Sequence, residues 1–267
     1  MFESSRSYTL KIDRIITPMF HGKNSGKALK ISYALARNYK SELTATTVRT
    51  RTEGYDVLGR LNLVTSIYND GKRDGIKVIP KIVTFDNVKT GLISETSGHY
   101  YDIIVISTEK RSVLSSSIFG SIGDYILKNV SIPAAIVSTS TVEYPYKKIL
   151  LPLSESLNIR PSVMFAYRLA KITGAELAIL DLRKYDQKPL HGFKLIFDNP
   201  GDFFNSNNKI NFVKSGDQKG IKEEVDSYIH AWGPDCIVLG LKSVLRINSD
   251  LKYLIKYPGI DTVLIKK

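Results

Sequence analysis

One loop of this sequence carries the residue types that hold phosphate groups. The stretch STEKRSVLSSSIFGSIG follows an apolar run, and it places two cations, Lys110 and Arg111, ahead of the pair Gly120 and Ser121. A glycine lets the backbone approach a phosphate without a Cβ in the way, and a serine can cap a helix or donate to an oxygen. A helix that begins here adds free N–H groups, which favour an anion. The pattern indicates a phosphate-ligand site, with plain helix capping as the alternative.

The passage that contains this loop occurs twice in the chain. Residues 104–137 and 237–265 share their order of apolar runs, but the loop of the second copy is five residues shorter. Asn248 stands there in the place of Gly120. We therefore predict that the second half cannot wrap a triphosphate, and that its retained Gly240 eases a turn at a strand end. The second half is interpreted as a scaffold or as half of an interface.

Apolar runs alternate with helical stretches in both halves. Runs such as 12–20 and 147–155 suit buried parallel strands, which are apolar on both faces. Strands that alternate with helices imply right-handed crossovers and a parallel sheet covered on both sides. The sequence thus predicts an α/β protein of two tandem five-stranded parallel-sheet domains, residues 10–140 and 146–267. The segment 183–208 is predicted to be an irregular loop, and ligands are expected beyond the carboxyl ends of the strands.

The net charge of +12 favours anionic partners, such as nucleotide phosphates or an acidic protein face. The Lys and Arg residues are spread along the chain without a block, which argues against specific nucleic-acid binding. No apolar run is long enough to span a membrane and the start has no signal-peptide pattern, so a cytoplasmic protein is expected.

Cysteine and histidine residues give little sign of chemistry. The single cysteine, Cys236, lies in an apolar run and excludes an intramolecular disulfide, so a buried thiol is predicted. The four histidines are scattered, which argues against a metal site. Of these, only His21 is expected near the crevice beyond the carboxyl ends of the strands. The simpler interpretation of His21 is an exposed turn residue.

The loop spacing resembles that of the universal stress protein family, which reads Gly, two residues, Gly, nine residues, Gly, Ser/Thr. Those positions are Ser107, Lys110, Gly120 and Ser121 here, so only the last two keep their types. The first strand resembles the family's apolar-Pro-x-Asp start, with Phe20 in the place of the Asp. The resemblance covers nearly the whole chain and implies two Rossmann-like domains of the adenine nucleotide alpha hydrolase-like type.

Members of the nucleotide-binding branch of that family hold ATP in this crevice, and other members bind none. Carried over, the resemblance implies adenine beside Pro18, Phe20 and Val48, although Phe20 can also fill that pocket itself. Ribose or phosphates are implied near Ser107, Lys110, Gly120, Ser121, Ile122 and Gly123. Lys110 and Arg111 replace neutral groups and can hold phosphate by charge.

The last strand of each half, near 133–138 and 262–267, is an edge strand that must be covered or paired. In the family these strands pair across a dimer. The tandem chain is therefore expected to form an intramolecular pseudo-dimer, and a further homodimer stays open.

The sequence leaves three alternative functions to be tested. The first is a non-catalytic stress-response or regulatory protein whose first domain binds ATP or another adenine or phosphate ligand. The second is a ligand-free scaffold that acts through its basic surface and edge strands. The third is slow nucleotide hydrolysis, for which the sequence offers no convincing general base.

Overall fold

The computed structural model describes residues 10, 12–20, 25–51, 57–112, 115–154, 159–182, 209–214, 220–241 and 247–266. Strands and helices alternate through the first half, as the sequence predicts. In chain order they are β1 (Arg14–Pro18), α1 (Gly26–Tyr39), β2 (Glu42–Thr50), α2 (Val57–Arg73), β3 (Val78–Phe85), α3 (Val88–Gly98), β4 (Ile103–Glu109), α4 (Gly120–Asn129) and β5 (Ala134–Thr139).

The second half repeats this alternation with a different middle. Its elements are β6 (Lys148–Leu153), α5 (Ile159–Thr173), β7 (Glu176–Asp181), β8 (Ile210–Lys214), α6 (Ile221–Trp232), β9 (Cys236–Leu241), α7 (Ser249–Ile255) and β10 (Asp261–Lys266). The predicted irregular loop at 183–208 and the residue His21 lie outside the described residues.

All these strands form one sheet, in the order β3-β2-β1-β4-β5-β10-β9-β6-β7-β8. Neighbours within each set of five run parallel, whereas β5 and β10 pair antiparallel and join the two sets, with Val137 opposite Val263. The predicted pseudo-dimer is confirmed, because each half covers the edge strand of the other. The domain boundaries at 10–140 and 146–267 stay a prediction.

The core lies on both faces of the sheet, which explains why the strands read as continuous apolar runs. Successive residues of β4 alternate between two buried clusters: Val105 joins the one beside α1, and Ile106 joins the one beside α4. Cys236 is buried and free, as predicted.

Cations of each half bond to backbone carbonyls of the other half. Such contacts tie the halves together outside the sheet, since a buried carbonyl needs a donor and a buried ammonium needs an acceptor. The pairs are Lys110 with Tyr257, Lys256 with Ser115, Lys266 with Val130 and Arg168 with Leu10.

A buried carboxylate at the start of β10 joins both halves and the linker between them, residues 140–147. Asp261 is fully buried and accepts from Lys27 Nζ at 2.5 Å and from the Tyr146 hydroxyl at 2.8 Å. Its other oxygen accepts from the N–H and the hydroxyl of Ser140, at 2.6 and 2.9 Å. One carboxylate therefore fixes α1, the linker and β10 relative to one another.

Candidate functional site

The carboxyl ends of β1 and β2 bring the predicted adenine-contacting residues together. The strand register pairs Pro18 with Thr46, so Val48 follows on the same face of β2. Val48 is buried, and Phe20 is partly exposed and packs against the cluster that contains Val48. The Phe20 N–H donates to the Ser25 hydroxyl at 2.8 Å, which ties the residue after β1 to the start of α1. Phe20 thus places a partly exposed apolar side chain beside the carboxyl ends of these strands.

The start of α4 places a cation against a glycine. Gly120 has φ +79, in the left-handed region that favours glycine. A Cβ at this position would lie 2.5 Å from Nη2 of Arg111, so the guanidinium lies directly over the first turn of the helix. Ser121 follows on the exposed side of the same turn. The structure therefore brings Arg111 against Gly120, nine positions further along the chain, with Ser121 as the next residue.

The turn that precedes α4 (residues 115–119, called here the α4 turn) is held by a carboxylate of the helix itself. Asp124 accepts from the N–H of Phe119 at 2.9 Å and from the N–H of Ile118 at 3.2 Å. It also accepts from the Ser117 hydroxyl at 2.6 Å, and that hydroxyl in turn accepts from the Gly120 N–H at 2.8 Å. The Asp124 carboxylate thus accepts from the N–H groups of Ile118 and Phe119 and from the Ser117 hydroxyl.

Sequence reasoning missed Asp124. A signal was present, since Ser121 and Asp124 have the Ser-x-x-acid spacing of a capping box. The helix begins one residue before Ser121, so Ser121 is not its cap and Asp124 reaches further back into the turn.

Gly123 and Ile122 serve the packing of this turn. A Cβ on Gly123 would lie 2.4 Å from Cβ of Phe119 and 3.1 Å from Cγ2 of Thr108. Only glycine therefore allows α4 to approach β4 this closely. Ile122 is partly buried against the apolar cluster on the same side of the sheet.

Two residues that were predicted to contact phosphate form hydrogen bonds with other parts of the protein. The Ser107 hydroxyl is buried and accepts from the Ala28 N–H of α1 at 3.3 Å. The Lys110 ammonium donates to the Tyr257 carbonyl at 2.8 Å and to the Thr262 hydroxyl at 3.2 Å. Burial lowers the pKa of Lys110 to about 8, although the nearby Asp261 carboxylate favours its charged form. Their roles at a phosphate, assigned from spacing, stay predictions.

The corresponding position of the second half is closed by a side-chain cap. Asn248 has φ −84, and its side-chain oxygen accepts from the Leu251 N–H at 2.9 Å. This is ordinary N-capping, in contrast to the left-handed glycine that starts α4.

We expect Asn248→Ala to lower the free energy of unfolding by about 1 kcal/mol, because one N–H of α7 loses its partner. Asn248→Gly should cost only a few tenths of a kcal/mol, since glycine leaves the helix end open to water. Urea denaturation of the two variants beside the wild type measures both values. Equal costs for the two would contradict a capping role.

Within the described ranges, no group of three or more His, Cys, Asp or Glu side chains is placed to hold a metal ion. None of the helices that the structure describes is long and apolar enough to cross a membrane.

Comparisons with known proteins relate the first half of the chain to a family. Residues 11–138 match the model of the universal stress protein family. No curated protein matches the chain. A universal stress protein from Archaeoglobus fulgidus DSM 4304 is 15% identical and has a TM-score of 0.62, with 97% of each chain covered. One described as putative, from Pseudomonas aeruginosa UCBPP-PA14, is 13% identical with a TM-score of 0.65, over 96% of this chain and 94% of the other.

A universal stress protein in complex with cAMP matches 48% of this chain and 98% of its own, at 15% identity and a TM-score of 0.40. The two full-length likenesses show that the whole chain, second half included, has the fold of these proteins. The first half of the chain therefore matches the universal stress protein family over residues 11–138, and the fold of universal stress proteins extends over the whole chain.

Proposed function

We propose that this protein is a non-catalytic regulatory protein whose first half binds a phosphate-bearing adenine ligand, such as ATP. The phosphate contacts Arg111, Ser121 and the first turn of α4. The adenine lies at the apolar end of the crevice, beside Phe20 and Val48.

The position of Arg111 carries this proposal. The N-terminus of a helix has the electrostatic character of a partial positive charge. The guanidinium lies over that end of α4, and no carboxylate among the described residues pairs with it. Two positive groups in contact favour a bound anion, and a guanidinium can form two parallel hydrogen bonds with a phosphate. Ser121, exposed beside them, adds a hydroxyl donor.

The hydrogen bonds of Asp124 support a site that binds its ligand without catalysing a reaction. Asp124 accepts three hydrogen bonds from the α4 turn, so most of its lone pairs are committed to holding that turn. A general base must reach the proton that it removes. Asp124 is a structural anion in this arrangement, and the site is suited to binding.

Titration with a fluorescent ATP analogue tests the proposal. We expect saturable binding to the wild type and an affinity at least tenfold lower for Arg111→Met, because a charge-assisted hydrogen bond contributes about 1.5 to 3 kcal/mol. Gly120→Asp should abolish binding, since it places a carboxylate at the phosphate position and forces a non-glycine residue into the left-handed region. Arg73→Met, which removes an exposed arginine paired with Asp70, is the matched control.

If the wild-type protein does not bind the analogue at millimolar concentration, the proposal is wrong. Equal affinity for the wild type and Arg111→Met would place any binding outside this crevice.

A second candidate is the ligand-free scaffold, which the same turn also favours. Asp124 and Ser117 already satisfy the N–H groups of Ile118, Phe119 and Gly120, so the turn is stable without a ligand. The net charge of +12 then suits an acidic protein partner. Absence of nucleotide binding, together with salt-sensitive association with an acidic protein, would select this alternative.

A further inference from the structure

Helix α7 of the second half ends against the α4 turn of the first half. Lys256 caps α7 at its C-terminus and is only 4% exposed. Its ammonium donates to the backbone carbonyl of Ser115, the first residue of the α4 turn. A buried ammonium costs free energy unless it finds acceptors, so this contact constrains both groups.

The next residue of the second half contacts the other end of the same loop. The carbonyl of Tyr257 accepts from the Lys110 ammonium at 2.8 Å, just after β4 ends. Lys256 and Tyr257 therefore hold the segment between β4 and α4 at two points, one through a side-chain donor and one through a backbone acceptor. Because the end of a helix favours cations, the C-terminus of α7 is a suitable place for both ammonium groups.

The α4 turn itself connects this contact to the anion site, since it runs from Ser115 to Phe119 and α4 begins at Gly120. Burial lowers the pKa of Lys256 and Lys252 lowers it further, while the Asp124 carboxylate opposes this shift. Lys256 thus contacts the α4 turn at Ser115, and Asp124 holds the same turn at Ile118 and Phe119, next to the start of α4.

We propose that Lys256 is a positioning residue for the phosphate site, so that the second half, which has a shortened loop of its own, sets the shape of the site in the first. The part of this inference that concerns affinity rests on the proposed function. The part that concerns the order of the α4 turn does not.

Hydrogen–deuterium exchange and nucleotide titration of Lys256→Met test the two parts separately. The variant should fold, because an apolar chain of similar length in place of a buried cation is often tolerated. We expect the Ile118 and Phe119 amides to exchange at least tenfold faster, with β2 unchanged. The affinity for a fluorescent ATP analogue should fall at least tenfold. Lys72→Met, on the exposed side of α2, should leave both measurements at wild-type values.

Each outcome decides one part. Unchanged exchange at Ile118 and Phe119 overturns the positioning role, and so does acceleration spread evenly over the whole chain. Faster local exchange with undiminished affinity overturns the link to the ligand site. If the wild type binds no nucleotide while local exchange is faster in Lys256→Met, the proposed function fails and the positioning of the turn stands.

Discussion

Asp261→Ala is expected to lower the free energy of unfolding by about 3 to 5 kcal/mol, the range found when one partner of a buried ion pair is removed. The Asp261 carboxylate is fully buried, and its partner Lys27 has a side chain only 14% exposed. The variant leaves Lys27 with the carbonyl of Val142, at 2.6 Å, as its nearest acceptor. It also leaves the buried hydroxyl of Tyr146 and the N–H of Ser140 without the acceptor they use. Urea denaturation at pH 7, followed by circular dichroism, measures the loss.

Two further variants isolate the cause. Asp70→Ala removes an exposed carboxylate paired with Arg73 at 3.0 Å, and such a pair contributes about 0 to 1 kcal/mol. Adding Lys27→Met to Asp261→Ala should recover part of the loss, because the orphaned ammonium is then gone. A loss below about 1 kcal/mol for Asp261→Ala, or no recovery in the double variant, would show that this cluster does not hold the halves together.

The sequence predicts the sheet well because the sheet has local signals. A parallel strand covered on both faces must be apolar throughout, and each predicted run of this kind became a strand where the structure describes it. The pairing of β5 with β10 was also predictable, since each half repeats the same order and leaves its last strand at an edge.

The contacts that tie the halves together have no such signal. Lys27 and Asp261 are 234 positions apart, and each lies in a segment that reads as an ordinary helix start or strand start. Lys110 was assigned to a phosphate on spacing alone, yet spacing does not say which side of the sheet a residue after a strand will face. In the structure its ammonium reaches Tyr257. Polar pairs of this kind depend on the tertiary fold, and no periodicity marks them.

The stability of the protein should depend on pH through Lys110. Burial lowers the pKa of Lys110 in the folded protein to about 8, from 10.5 for an exposed lysine, while Asp261 raises it and Lys27 lowers it. Between these two values the unfolded chain binds more protons than the folded one, so stability rises with pH. The cost of burying the charge is fully present below pH 8 and is lost as pH approaches 10.5. The contribution amounts to about 2 to 3 kcal/mol over this window.

Other groups titrate in the same range, so the effect is best measured as a difference between variants. Burial raises the pKa of Tyr33 and Tyr144 to about 12, and these hydroxyls lower stability above pH 10, where the unfolded chain loses its tyrosine protons first. Urea denaturation of the wild type and Lys110→Met at pH 7, 8, 9 and 10 cancels that contribution. Relative to the wild type, Lys110→Met should lose about 2 kcal/mol of stability between pH 7 and pH 10. Lys128→Met, on the exposed side of α4, should follow the wild type. If the Lys110→Met curve also runs parallel to the wild type, Lys110 keeps the pKa of an exposed lysine and its ammonium is not buried between the halves.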